Sequence, residues 1–386
     1  MVVSIAHDYC TQRGGAERVA LTLLQAFPEA ELITSLHDGE HTFAGFGDYT
    51  VRTSHLQRYS AFRRDPRHAF PFLASAWDRM HAPEASAVVC SSSGWAHGVH
   101  VPPGVRKVVY CHNPARWLYQ SEDYLRDRSR PVAAVARTLA PGLRRWDARA
   151  AGTADVYVAN SSAVAARIKD VYGIDATVVN PPSALDPAGL LEPVEHIEPG
   201  FLLSVGRGRG YKHIDVVAEA VSRYGKAHLV VVGGYDGVEL LPHVTRLTDV
   251  SDDQLRWLYA NAAAVVSLSH EDFGLTPVEG FGFGTPAVLL RGGGFLDSMV
   301  EGVTGVFAEA PTGDAFIEAL ERLPGSYDTE AILRHAGNYT TATFQQTIRD
   351  LAVGTPTPTV APAGVRVPRP RTEAQVPTTP RPQPQP

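Results

Sequence analysis

Two glutamates, Glu271 and Glu279, stand eight positions apart around the run Asp272-Phe273-Gly274-Leu275-Thr276-Pro277-Val278. The run follows an apolar stretch at 263–268 and reads as a loop entering a helix, because Pro277 suits a first helical turn where its missing N–H costs nothing. Phe273, Gly274, Leu275 and Thr276 would then turn free backbone N–H groups toward an anion, while the two carboxylates accept hydrogen bonds from hydroxyls. Carboxylates beside a sugar and amides beside a phosphate suit a nucleotide-sugar; two unrelated surface acids are the alternative. A second loop carries positive charge. Gly206-Arg207-Gly208-Arg209-Gly210-Tyr211-Lys212 lies between the apolar run 201–205 and the helical pattern Ile214, Val217, Ala218, Val221, and a diphosphate is its natural ligand. As a dinucleotide fingerprint it lacks the acid that would hold a ribose, since the next strand ends in Val232-Gly233-Gly234. Solvated basic side chains at a turn are the other reading of Arg207 and Lys212. Near the start, Gly14-Gly15 opens a helix and leaves room for a ligand against its N–H groups, although a plain tight turn explains the pair as well.

These loops need strands and helices to hold them. Ala16, Val19, Ala20, Leu23, Leu24 and Phe27 recur with helical spacing between the apolar runs 2–6 and 32–36, so the chain opens as a βαβ unit and favours a parallel sheet. Further strands fit at 87–90, 108–111, 156–159 and 177–179. Asn160-Ser161-Ser162 suits a helix start, and Gly173 its end. Residues 1–182 form one α/β domain on this reading, and the proline- and acid-bearing stretch 183–200 is a linker. A second α/β domain over 201–330 has strands at 201–205, 229–232 and 263–268. The capping box Ser251-Asp252-Asp253-Gln254 precedes the last of these. A C-terminal helix is expected over 331–353. The remainder, 354–386, has ten prolines in thirty-three residues and almost no apolar side chains, so it is expected to be disordered.

Composition narrows the function. The 386 residues are 44% hydrophobic and 20% charged, a globular profile too long for one small domain. A net charge of −6 gives no general attraction to nucleic acid. Cys10, Cys90 and Cys111 have no Cys-x-x-Cys spacing, which argues against a disulfide framework or a zinc ribbon and for a reducing cytoplasm. The first residues lack a basic leader, and no apolar run approaches the roughly 20 residues of a membrane span.

Taken in order, these motifs resemble the retaining GT-B glycosyltransferases grouped as family four. Gly14-Gly15-Ala16-Glu17-Arg18, Asn160-Ser161-Ser162, Val205-Gly206-Arg207 with Tyr211-Lys212, and Glu271 to Glu279 followed by Gly284-Thr285-Pro286 carry the likeness over about 1–350. It implies two Rossmann-like domains facing a central cleft, with a nucleotide-sugar co-substrate, and no cofactor, held mainly by the second. Arg207 and Lys212 would hold the diphosphate beside Gly14 and Gly15, Glu279 the ribose, and Glu271 the hydroxyls of the donor sugar. Tyr110-Cys111-His112-Asn113-Pro114-Ala115-Arg116-Trp117-Leu118-Tyr119 resembles the mannosyltransferase branch, which implies that His112 contacts the sugar near its anomeric centre and that GDP-mannose is the donor to test first, with UDP-sugars open. The usual Pro-Glu is replaced near Phe295-Leu296-Asp297.

The resemblance implies a front-face route with retention, in which the leaving phosphate takes the acceptor proton and catalysis is positioning plus electrostatics. No metal site is expected: Asp-x-Asp spacing is absent, and the 15 histidines are scattered, with His37 and His41 the one His-x3-His pair. A glycan, lipid-linked or small-molecule acceptor fits the family. Between Arg52 and Arg79 six arginines face two aspartates and are interleaved with Tyr59, Phe62, Phe70, Phe72 and Trp77. That surface could meet anionic lipid at the inner face of the membrane, or be a helical insertion with its aromatics in the core. A non-catalytic nucleotide-sugar-binding protein and an NAD-dependent enzyme are the competing functions.

Overall fold

The computed structural model describes residues 2–120, 130–183, 185–207, 212–234 and 240–354, with side chains described except at 130–136 and 207. Two parallel sheets organise them. The first has the order β3-β2-β1-β4-β5-β6-β7, built from β1 (Val3–His7), β2 (Glu31–Thr34), β3 (Val51–Thr53), β4 (Ala87–Ser92), β5 (Arg106–Cys111), β6 (Val156–Ala159) and β7 (Thr177–Val178). The second runs β10-β9-β8-β11-β12-β13, from β8 (Leu202–Arg207), β9 (Leu229–Gly234), β10 (Val244–Leu247), β11 (Ala264–Ser267), β12 (Ala287–Leu290) and β13 (Gly305–Ala308). Every pairing is parallel; Ile5 aligns with Leu32 and Val89, and Val265 with Leu203 and Ala287. Central strands such as Ala87–Ser92 are buried throughout, which is why they read as unbroken apolar runs.

In both sheets the strand order reverses beside the first strand of the unit, and loops at the carboxyl ends of such strands form the usual ligand crevice. Helix starts are fixed locally. Ser161 caps the Ser162–Tyr172 helix through Val164 N, and Gly173 ends it at φ 71°. Ser251 and Gln254 form the full capping box of the Asp252–Asn261 helix.

Four strands escape the sequence reading: Val51–Thr53, Val244–Leu247, Ala287–Leu290 and Gly305–Ala308. They are three or four residues long, too short for period-two alternation to show.

The expected single helix over 331–353 is corrected to two. Gly337 caps the Thr329–Ala336 helix, and Thr340 accepts from Thr343 N to start a new one, Thr341–Val353. They serve different units. Ile332 packs with Phe273 and Phe281 under the second sheet, whereas Phe344, Ile348 and Leu351 join Val3, Ile5 and Leu23 on the first. Gln345 Nε2 and Arg349 Nε donate to the carbonyls of Thr22 (3.1 Å) and Ala26 (3.0 Å), tying this last helix to the Gly15–Ala26 helix. The chain thus crosses to the second unit and returns. Of the stretch expected to be disordered, 355–386 lies outside the described residues.

The Arg52–Arg79 stretch divides between its two readings. Leu73, Ala76 and Trp77 are buried in the core, while Tyr59 and Phe72 are 43% and 51% exposed. Among the described residues no helix is long and apolar enough to cross a membrane.

Candidate active site

The Glu271 loop begins where β11 ends. Ser267 and Ser269 share a hydroxyl hydrogen bond of 2.7 Å, and Ser269 Oγ donates to Glu271 Oε1 at 2.8 Å. Lys212 Nζ donates to the same carboxylate oxygen in a direct ion pair. Burial pushes the Glu271 pKa up, but the Lys212 charge and the hydrogen bonds outweigh it, so the group lies below the ordinary carboxylate range and is ionised at neutral pH.

Two glycines shape this loop. Gly274 sits at φ 87° as the cap of the Leu275–Phe281 helix, and a Cβ there would meet the Phe295 ring at 2.3 Å. A Cβ on Gly294 would lie 2.2 Å from Phe273 Cα, and Gly294 N donates to Glu271 O at 2.9 Å. Only a bare backbone fits there.

Glu279 is in a different environment. Tyr259 OH donates to its Oε2 at 2.7 Å. Burial raises its pKa; the Tyr259 hydrogen bond and the charge of Arg18 oppose the rise without cancelling it. The two glutamates are therefore not an acid–base couple. Glu271 is held charged by a lysine, whereas Glu279 is drawn toward neutrality.

First-unit loops face this surface. Gly15, at the start of the Gly15–Ala26 helix, has Leu275 Cδ1 3.3 Å from where its Cβ would stand, and Arg18 on the same helix lies 3.5 Å from Asp252. At the end of β5, His112 Nε2 shares a hydrogen bond of 2.8 Å with Ser91 Oγ, which also meets His7 Nδ1 at 3.0 Å. Burial, and to a lesser degree His7, push the His112 imidazole down to about 3, so it is neutral at pH 7.

Contacts between the units converge on Asp272. Its carboxylate pairs with Arg116 and with Arg167 Nη1, its carbonyl accepts from Ser161 Oγ, and Asp297 nearby accepts from Ser162 N. Sequence reasoning reads Ser161 and Ser162 only as a helix start and gives none of these side chains a role in joining the units. Arg116 and Asp272 lie inside the family-like motifs, but their pairing partners are more than a hundred residues away in the chain.

Of the residues singled out from the sequence, Lys212 and Glu271 touch, Leu275 meets Gly15, and Phe273, Gly274 and Thr276 lie in the same loop and helix start. Gly14 caps the first helix. Glu279 is engaged with Tyr259 rather than with Glu271, and His112 belongs to the Ser91–His7 chain. Arg207 ends β8, with its side chain and Gly208–Tyr211 outside the described residues. One group of potential metal ligands does occur among the described residues: Asp38, Glu40 and His41, whose ligand atoms lie within 4.8 Å of one another, with Glu40 and His41 exposed.

Two family profiles account for most of this architecture. "Glycosyltransferase Family 4" matches residues 13–183, and "Glycosyl transferases group 1" matches 193–337. The chain belongs to these glycosyltransferases. The human alpha-1,3/1,6-mannosyltransferase ALG2 is 26% identical over 376 residues, covering 84% of this glycosyltransferase and 88% of the human protein. The Dictyostelium discoideum ALG2 is 28% identical over 166 residues, 35% of this chain and only 39% of that protein. Among solved structures, Anabaena HepE in complex with UDP superposes with a TM-score of 0.63 at 14% identity, covering 92% of this chain and 100% of that one. Sucrose-phosphate synthase from Thermosynechococcus elongatus gives 0.64 at 16%, covering 92% and 99%. These two establish the fold as GT-B, two Rossmann-like domains of parallel sheet.

Proposed function

We propose that this glycosyltransferase moves a sugar from a nucleotide-sugar to a glycan, lipid-linked or small-molecule acceptor with retention of anomeric configuration, and that GDP-mannose is the donor to test first. The observation that carries the reading is the Lys212–Glu271 pair at the mouth of the second sheet, a cation suited to a diphosphate beside an ionised carboxylate suited to sugar hydroxyls. The mannosyltransferase name of the human and Dictyostelium relatives favours mannose. The UDP bound by HepE keeps uridine donors in the comparison.

In the reaction, the bond between the anomeric carbon and the β-phosphate oxygen breaks while the acceptor oxygen attacks the same face. The acceptor proton passes to the leaving phosphate. On donor entry the Lys212 ammonium turns from Glu271 to the growing phosphate charge, and the freed carboxylate takes sugar hydroxyls. Arg207 assists at the diphosphate, Gly14 and Gly15 let it approach the first helix, and Glu279 holds the ribose. The amides of Phe273, Gly274, Leu275 and Thr276 line the donor sugar. Neutral His112 offers a hydrogen bond, not a charge, near the anomeric carbon. Each of these contributions is electrostatic or positional, so no metal is assigned and turnover in EDTA is expected.

The exposed part of the Arg52–Arg79 stretch supports peripheral contact with an anionic membrane from the cytoplasmic side. Phe62 lies between Tyr59 and Phe72 at ring distances of 5.2 and 5.9 Å, and Arg58 covers Tyr59 at 4.8 Å. Vesicle binding should require anionic lipid and weaken with salt, because screening acts over about 10 Å at 0.1 M. Salt-independent or absent binding contradicts the contact.

A thermal-shift panel of GDP- and UDP-sugars, followed by NMR of the product anomer, tests the whole reading. A ligand at 100 times its Kd stabilises by about 2.7 kcal/mol. Stabilisation by a nucleotide-sugar and a product that keeps the donor's anomeric configuration are expected. An inverted product, or no stabilisation by any member of the panel, overturns it.

A further inference from the structure

The donor-sugar loop and the His112 segment come from different units and are about 160 residues apart in the chain, yet one guanidinium reaches both. Arg167 Nη1 donates to Asn113 Oδ1 at 3.0 Å and to Asp272 Oδ1. Asn113 follows His112, and Asp272 follows Glu271, so Arg167 bonds the immediate neighbours of the two residues placed on the donor sugar. Each end is anchored again. His112 O accepts from Asn160 Nδ2 at 3.0 Å, Asp272 O accepts from Ser161 Oγ, and Arg116 holds the second oxygen of Asp272. Arg167 sits on the Ser162–Tyr172 helix, whose inner face buries Val164 and Ile168, so its backbone is fixed by packing while its head projects between the units.

We propose that Arg167 is a positioning residue for sugar transfer: bonded to Asn113 and Asp272 at once, it sets the separation between His112 on the first unit and Glu271 on the second. The proposal rests on the reading of Glu271 and His112 as donor-sugar contacts. The nucleotide is held mainly by second-unit groups, and its first-unit neighbours, Gly14 and Gly15, lie at the start of the Gly15–Ala26 helix rather than on Asn113 or Asp272. Loss of the bridge therefore leaves nucleotide binding in place and lets the sugar end wander, and displacements near 1 Å cost about a hundredfold in rate. Both bonds leave the single nitrogen Nη1, so a lysine ammonium, with three N–H donors on a shorter and more flexible stem, keeps the charge and part of the bridge.

Steady-state kinetics and calorimetric titration of nucleoside diphosphate, on Arg167→Ala, Arg167→Lys, Asp272→Asn and the Arg167→Ala/Asp272→Asn double variant, test it. Arg167→Ala should lower kcat about 10- to 100-fold, with nucleotide Kd and donor KM within about threefold of wild type. Arg167→Lys should recover part of kcat. The double variant should be no slower than the slower single one, because both remove the same bridge. Unchanged kcat in Arg167→Ala, a nucleotide Kd weakened as much as in Lys212→Ala, or additive losses in the double variant would overturn the assignment. Loss of donor function in Arg167→Ala with wild-type behaviour in Glu271→Ala and Lys212→Ala would instead place the failure in the donor-site reading, and with it the stated reason for the bridge.

Discussion

Tyr259 donates its phenolic proton to Glu279 Oε2 at 2.7 Å, where burial otherwise drives that carboxyl toward its neutral form. The hydroxyl and the Arg18 charge oppose that drive, and with Glu279 proposed on the ribose, removing the hydroxyl should act on donor affinity and not on the breaking bond. Tyr259→Phe should raise donor KM about 5- to 10-fold, about the net worth of one ordinary hydrogen bond, and leave kcat within about twofold. A kcat loss larger than the KM change would contradict that division of labour.

His112 gives the fold a pH signature of one sign. Its folded pKa is depressed to about 3 against an ordinary 6.5, so the unfolded chain binds the proton more readily. The stabilisation is complete above 6.5 and is lost as pH falls toward 3, at up to about 1.4 kcal/mol per pH unit. Glu279 has the opposite sign: its folded pKa is raised, so its contribution is present below the ordinary 4.5 and lost as pH rises through the folded value. Urea unfolding at pH 7 and pH 5 should show wild type losing about 2 kcal/mol more on acidification than His112→Gln. Equal losses would mean that the imidazole titrates as in water.

Much of the scaffold was legible because it is locally encoded. The Ser251 capping box, the Gly173 stop and the strand at 156–159 each announce themselves within a few residues, and the structure has all three where expected. Val51–Thr53 was not legible, since Val-Arg-Thr becomes a strand only by pairing along Leu32–Thr34 at the sheet edge. The break at Gly337 was hidden because Ile332 and Ile348 both look like one apolar face, although they pack under different sheets. The same limit applies at the cleft. Lys212 and Glu271 could be nominated separately from residue type and loop context, whereas Arg167 could not, because its meaning comes from Asn113 and Asp272 meeting it in space.

The backbone of the Glu271 loop depends on the absence of a side chain at Gly294. A methyl group there would overlap Phe273 Cα and Asp272 O, at 2.2 and 2.3 Å, and neither neighbour is a flexible side-chain end that could move aside. Gly294→Ala should displace the loop, lower kcat/KM at least about tenfold and cost about 1–3 kcal/mol in urea unfolding. Wild-type kinetics in a normally folded variant would show that this close approach is not needed.

The returning helix is a structural tie between the chain end and the first unit. Ile348 is fully buried among Val3, Ile5 and Leu23, so Ile348→Ala should destabilise by about 2–5 kcal/mol, as large-to-small changes in a core do. Thermal and urea unfolding both read it. A loss below about 1 kcal/mol would indicate that the helix is not part of that core.

The account stands on Lys212 and Glu271 handling a nucleotide-sugar, and the most direct measurement is donor kcat/KM for Lys212→Ala and Glu271→Ala, assayed in EDTA with melting temperature as the folding control. On that reading Lys212→Ala leaves donor diphosphate charge without its ammonium partner and should lose about 10²- to 10³-fold. Glu271→Ala should lose mainly kcat, since contacts to sugar hydroxyls orient the anomeric carbon for attack. If both variants transfer sugar at wild-type rates with wild-type donor KM, the donor site is elsewhere and the assignment is wrong.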